Sequence, residues 1–151
     1  MSVRNLVRLE SDDTCAICGE RNSEHLTEHH IEGKSNSYDN RILLCYNCHR
    51  GHNDKGTPST CQIKNRKRHL IEKTITTYGL SAMKIAGRRD GDGVPAIPFM
   101  LYHLVDMGLM RKEQCLMKAG PGDRIETLAL FKITPEGKAL LKKWFNKIAD
   151  C

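Results

Sequence analysis

The sequence predicts an α+β chain in two parts, a small metal-stapled module over residues 1–60 and a helix-and-hairpin domain over residues 61–151. Three observations carry this expectation. Two Cys-x-x-Cys pairs bracket a polar, histidine-rich insert. Short apolar stretches of strand character dominate before residue 46, whereas helical stripes and a hairpin pattern follow residue 61. The charge is also divided unevenly. Residues 1–60 carry 7 Lys and Arg against 9 Asp and Glu, and residues 61–151 carry 17 against 9, so the net charge of +6 lies wholly in the second part. A basic part beside a neutral-to-acidic one points to a polyanionic partner for the former, although a solvated basic face gives the same count. The boundary is expected near GTPSTC (residues 56–61), where linker residues cluster.

At 39% hydrophobic and 28% charged, the 151 residues fit a globular chain. No apolar run approaches the roughly 20 residues of a membrane span. The opening MSVRNLVRLESDD has no secretory apolar core and turns acidic at once. A cytoplasmic protein with no membrane partner is expected. Seven cysteines, an odd number, then favour metal binding over a disulfide framework.

Cys15-Ala-Ile-Cys18 and Cys45-Tyr-Asn-Cys48 are separated by 26 residues. A two-residue spacer lets both thiolates of a pair reach one ion, and two pairs complete a tetrahedral Zn²⁺ site. Gly19 supplies the small residue a tight knuckle needs after its second ligand. Four thiolates leave no open coordination position, so the zinc is expected to be structural. A redox dithiol would want a βαβ setting, which neither pair has. Cys61, Cys115 and Cys151 have no partner at ligand spacing.

Inside this frame, LTEHHI (residues 26–31) reads as a short strand, GKSNSYDN (residues 33–40) as a loop, RILLC (residues 41–45) as a second strand, and Asn47 onward as a short helix. Adjacent His29 and His30 would point to opposite faces of their strand. With these residues on the page, the segment from about residue 12 to 55 resembles the HNH endonucleases. The resemblance rests on His29-His30-Ile31, on Gly33, Ser35 and Asn40, and on Leu43-Leu44-Cys45-x-x-Cys48-His49, with eight residues between Asn40 and His49. The chain departs from the family pattern in carrying Glu32-Gly33 where many members have a Pro, and His29 where Asp is common.

The resemblance implies a ββα unit around one divalent metal. It makes His30 the general base, His29 and His49 the metal ligands, and Asn40 a residue that either orients the loop or completes the metal site. Mg²⁺ is the expected ion, with Mn²⁺, Ni²⁺ and Zn²⁺ also suited to imidazole ligands. His52, three residues beyond His49, is an accessory ligand or phosphate contact; Arg50 is a phosphate clamp or a solvated cation; His25 lies outside the motif. The histidines could instead extend the cysteine site into a larger zinc cluster.

The second part opens with a basic cluster, Lys64, Arg66, Lys67 and Arg68. Leu70, Ile71, Ile75 and Tyr78 form a helical stripe that Gly79 should end. SAMKIAG (residues 81–87) is a second helix, and GRRDGDG a loop carrying Arg88 and Arg89. PAIPFMLYHLVDMGLM should start a helix at its leading Pro95 and close at Gly108. Two strands, residues 113–119 and 125–134, flank the turn Gly120-Pro121-Gly122-Asp123. A last helix, capped by Thr134 with Pro135 at its first position, buries Leu140, Leu141, Trp144, Phe145 and Ile148.

This layout, with the phrases HLVDMGLM and ALFKITPEGKALL, resembles the winged helix-turn-helix domains of bacterial transcription regulators. The resemblance implies a recognition helix over residues 95–107, a wing over residues 118–126, and DNA as partner. Arg66, Lys67, Arg68, Arg88, Arg89, Lys118 and Arg124 become the nucleic-acid contacts, with homodimerisation as the alternative use of the domain. Together the two resemblances imply a metal-dependent DNA endonuclease of the kind found in phage and mobile elements. A zinc-containing DNA-binding regulator without catalysis is the alternative.

Overall fold

The structure, a computed structural model, describes residues 2–89 and 92–145. The chain forms two compact units, one ending at Thr74 and the other beginning at Ile75. Both mix helices with a small antiparallel sheet, as expected of an α+β chain.

The first unit opens with α1 (Val3–Glu10), capped by Ser2, whose Oγ accepts from the Asn5 amide at 3.2 Å. The first cysteine knuckle follows, then β1 (Leu26–His30) and β2 (Arg41–Cys45), paired antiparallel with His29 opposite Ile42 and His30 opposite Arg41. Ile42, Leu43 and Leu44 are all buried, so β2 is covered on both faces and reads as a continuous apolar run. Helix α2 (Tyr46–Lys55) begins directly on β2 and ends at Gly56, whose left-handed φ of 64° suits glycine. Helix α3 (Thr60–Ile75) completes the unit. Its Ile63 and Leu70 join Val7, Leu26 and Ile42–Leu44 in one apolar core.

That packing moves the boundary from the expected residue 60 to Thr74. The cause lies in the basic cluster. Lys67 is fully buried, its ammonium against the equally buried Glu10 carboxylate and 4.1 Å from the Tyr38 ring centroid. Arg66 donates from Nε to the Ala16 carbonyl at 2.7 Å, and Lys64 pairs with Glu32 at 2.5 Å. A helix tied this way to α1, the first knuckle and the loop belongs to the metal-stapled part.

The second unit contains α4 (Thr77–Arg88), β3 (Val94–Ala96), α5 (Pro98–Asp106), β4 (Met110–Ala119), β5 (Ile125–Ile133) and α6 (Pro135–Trp144). The strand order is β3-β5-β4. Gly79 does not end a helix: α3 stops at Ile75, Thr76 caps α4, and Gly79 lies in the first turn of α4, donating its amide to Thr76 Oγ1 at 3.1 Å. Nor does Pro95 start one. Pro95 sits in edge strand β3, opposite Leu130, where a missing amide is tolerated, and Pro98 takes the first position of α5. The expected recognition helix is thus shorter than 95–107, its first residues being strand.

The hairpin and last helix follow expectation closely. Thr134 Oγ1 accepts from the Gly137 amide at 3.1 Å and donates to the Gly108 carbonyl at 2.6 Å, fixing the start of α6. Ile148 and Cys151 lie outside the described residues. No helix among the described residues is long and apolar enough to cross a membrane.

Candidate metal centre

The four-cysteine frame assembles at the joint between the first knuckle and the β2–α2 junction. In the first knuckle the Gly19 amide closes onto the Cys15 carbonyl at 2.9 Å, with Gly19 at φ +78°. The Ala16 amide bonds the Leu43 carbonyl at 2.9 Å and ties this knuckle to β2. In the second, Cys45 ends β2, caps α2 and receives the Cys48 amide on its sulfur at 3.4 Å. The thiol sulfurs of Cys15, Cys18, Cys45 and Cys48 lie within 4.8 Å of one another, with Cys18 and Cys45 at 3.6 Å. Four sulfurs at about 2.3 Å from a tetrahedral Zn²⁺ stand roughly 3.8 Å apart, so this set could hold a structural zinc. Burial alone would raise the Cys15 thiol, but the amides of Cys18, Cys45 and Ile17 outweigh it and bring it down to about 7, while burial and the neighbouring sulfurs push the Cys48 thiol up.

The histidines divide between the two faces of β1, as the strand period requires. His29 meets the helix: its ring centroid is 5.0 Å from that of His49 and 5.0 Å from that of His52, both edge-on. Their spacing puts His49 and His52 on one side of α2. His52 Nδ1 lies 2.7 Å from the Pro58 carbonyl. A carbonyl only accepts, so Nδ1 carries the proton and, in the neutral ring, Nε2 keeps its lone pair, the tautomer of a metal ligand anchored by a carbonyl through its other nitrogen. Gly51 makes this contact accessible. A Cβ there would stand 2.5 Å from the Thr57 carbonyl oxygen, so only glycine lets the chain pass so near α2 and present Pro58 to His52. Burial, with the neighbouring His49, His52 and His30 adding to it, holds the His29 imidazole down to about 4, and so neutral at physiological pH.

His30 faces the other way, into a chain of polar groups. Asn36 Oδ1 lies 3.1 Å from His30 Nε2 and accepts from Arg41 at 2.5 Å. Arg41 also donates to Glu28 at 2.6 Å, and Arg4 lies 3.4 Å from the same carboxylate. Because arginine only donates, the Asn36 atom is the oxygen, so His30 Nε2 must carry the proton. That leaves the His30 Nδ1 lone pair available as a base.

Asn40 orients the loop. It is 1% exposed, and its amide group donates to the carbonyls of Glu32 and Ser35 at 2.7 and 2.9 Å and accepts from the Glu32 amide at 2.9 Å. Both amide protons are committed to the backbone. Asn40 therefore acts as a positioning residue for the loop that carries Asn36, which is the loop-orienting alternative of the two expected for it.

The remaining expected site residues scatter. Arg50 is exposed and pairs with Asp54 at 3.6 Å, the solvated-cation alternative. His25 lies exposed in the short turn before β1. Lys67 cannot be a nucleic-acid contact, since it has no exposed side-chain surface. Arg66 spends its Nε on Ala16, and Arg68 lies 3.7 Å from Glu72. Arg88 and Arg89 are exposed at the end of α4, and Lys118 and Arg124 flank the β4–β5 turn, also exposed. Asn36, Arg41 and Glu28 were not singled out from sequence. The only signal was the cross-strand pairing of residues 30 and 41, which needs the register to be known. No family model matches the chain, and neither does any curated protein or solved structure.

Proposed function

We propose that the first unit is a metal-dependent endonuclease of the HNH type that hydrolyses phosphodiester bonds. The observation that supports it is the opposed setting of two neighbouring histidines. The His29 ring lies edge-on against the rings of His49 and His52, while the His30 ring, on the opposite face of the strand, is held through Nε2 by Asn36.

In this reading His29, His49 and His52 hold one divalent ion, which supplies Lewis-acid polarisation of the phosphate and leaving oxygen when bound. His30 Nδ1 accepts a proton from water as the water oxygen attacks phosphorus and the bond from phosphorus to the leaving oxygen breaks, that oxygen taking its proton from solvent. Asn36 and Arg41 keep the His30 tautomer fixed, and Glu28 anchors Arg41. Asn40 holds the loop that carries Asn36. Three imidazole nitrogens suit Mn²⁺, Ni²⁺ or Zn²⁺ better than Mg²⁺, which prefers oxygen ligands. The cysteine frame carries a structural zinc and does no chemistry. The second unit, with 12 Lys and Arg against 8 Asp and Glu over residues 75–150, brings the nuclease to DNA.

The test is nicking of supercoiled plasmid with Mn²⁺, Ni²⁺ and Mg²⁺, comparing wild type with His30→Ala and Asn36→Ala. His30→Ala should stay folded and zinc-loaded and lose about 10²–10⁴-fold in rate. Asn36→Ala should lose less and change its pH–rate profile. Equal rates for wild type and His30→Ala would reject the assignment of the base. Absence of cleavage by wild type with every ion would favour the alternative, a DNA-binding module without catalysis.

A further inference from the structure

In the second unit, helices α4 and α6 enclose a groove of about 400 Å³ lined by Lys84, Gly87, Arg88, Lys138, Leu141 and Phe145. Its size falls within the roughly 300–1,000 Å³ of small-molecule sites. Lys84 and Arg88 stand four apart on α4 and so share a face, and Lys138 approaches from α6. Among the described residues the lining contains three cations and no acid. Elsewhere in this unit Arg111, Lys112 and Lys132 are each paired with a glutamate, whereas none of the three groove cations has a carboxylate partner among the described residues.

Like charges gathered around a concavity without neutralisation repel one another, and an anion in the concavity relieves that repulsion. The walls add a second requirement. Leu141 is buried and Phe145 half-buried, with the Lys84 ammonium 5.9 Å from the Phe145 ring centroid. An apolar, partly aromatic wall beside three cations suits an anion that carries a flat, apolar part.

We infer that this groove is a nucleotide-binding site, with the phosphate held by Lys84, Arg88 and Lys138 and the base against Phe145. It uses α4 and α6, not α5 and the hairpin turn that the winged-helix resemblance would present. The side of α5 that carries Phe99, 76% exposed, has no cation for phosphate. The inference rests on the polyanion reading of the second unit and not on cleavage by the first. A free mononucleotide and a nucleotide unit within a strand present the same chemistry to the groove.

The test uses the full zinc-loaded chain, with AMP and a 20-mer single-stranded oligonucleotide as probes, followed by calorimetry at several salt concentrations. The variants are Lys84→Gln/Arg88→Gln/Lys138→Gln, all exposed positions, and Phe145→Leu. Saturable AMP binding that the triple variant loses would identify a free-nucleotide site. Binding of the 20-mer without AMP binding, with a salt slope smaller by about 0.7 in the triple variant, would identify a strand site, since the one single-strand phosphate held in the groove contributes about 0.7. In either case Phe145→Leu should weaken affinity with the salt slope unchanged. A wild type that binds the 20-mer with affinity and slope unaltered in both variants would overturn the groove while leaving the polyanion reading intact. A wild type that binds neither probe would overturn both.

Discussion

Replacing Lys67 by Met should cost the first unit about 3–5 kcal/mol, the usual consequence of leaving one member of a buried ion pair without the other. Both side chains are fully buried, and Glu10 Oε2 makes no hydrogen bond of its own among the described residues, so the carboxylate would lose its one cationic partner and keep at most the Tyr38 hydroxyl. Against a typical total of about 5–15 kcal/mol, that loss moves the unit close to unfolding. Urea denaturation of the zinc-loaded chain followed by circular dichroism measures it. The variant should also acquire a pH dependence. Burial already pushes the Glu10 carboxyl above its usual range, with Lys67 pulling it back; without Lys67 it rises further. A carboxyl whose folded pKa is raised loses stability as pH climbs from its unfolded value through the folded one. The gap between variant and wild type should therefore widen from about pH 5 upward. Glu10→Leu combined with Lys67→Met should recover most of the loss, because the isolated charge is gone. A loss below about 1 kcal/mol for the single variant, or a double variant less stable than the single, would refute the reasoning.

Three further outcomes are expected. Stripping metal with a strong chelator, or substituting Cys45→Ser, should unfold the first unit while the second keeps its helical signal; structural zinc in small modules supplies on the order of 10 kcal/mol of folding energy, and a colorimetric zinc assay should show one ion released per chain. Gly51→Ala, by pushing Thr57 and Pro58 away, should weaken Mn²⁺ or Ni²⁺ binding by about 10–100-fold, as loss of an outer-shell partner does; metal titration showing wild-type affinity would separate His52 from the site. Asn40→Ala removes three side-chain bonds from the loop and should cost about 1–3 kcal/mol, together with faster proteolysis between residues 32 and 37.

The cysteine frame was legible because its information is local. Spacing within each pair fixes which sulfurs can meet, and no tertiary contact can change that. The same holds for RILLC, whose apolar run could hardly be anything but a buried strand, and for Thr134-Pro135, which states a helix start in two residues. Lys67 was misread because it stands in the run KNRKRH, where composition says surface. A position-by-position reading would have told otherwise. Ile63, Lys67, Leu70 and Ile71 fall at i, i+4, i+7 and i+8, an apolar stripe with one lysine in it, and such a lysine must be buried with a partner. Pro95 and Pro98 compete for the same helix start, and propensity cannot choose between them; pairing of Val94–Ala96 with β5 decides. His52 was visible as a neighbour of His49, but its tautomer depends on a carbonyl reached only after the chain turns past Gly56. Asn36 looked like one more polar loop residue.

Cys45 ends a strand, caps the helix that bears His49 and His52, and offers its sulfur to the four-cysteine set. One residue thus joins the four-cysteine set to the helix that bears the two histidines, and the two cannot fail separately. Zinc scarcity in a cell would act on such a fold directly: the supply of that ion would set how many molecules hold His49 and His52 beside His29.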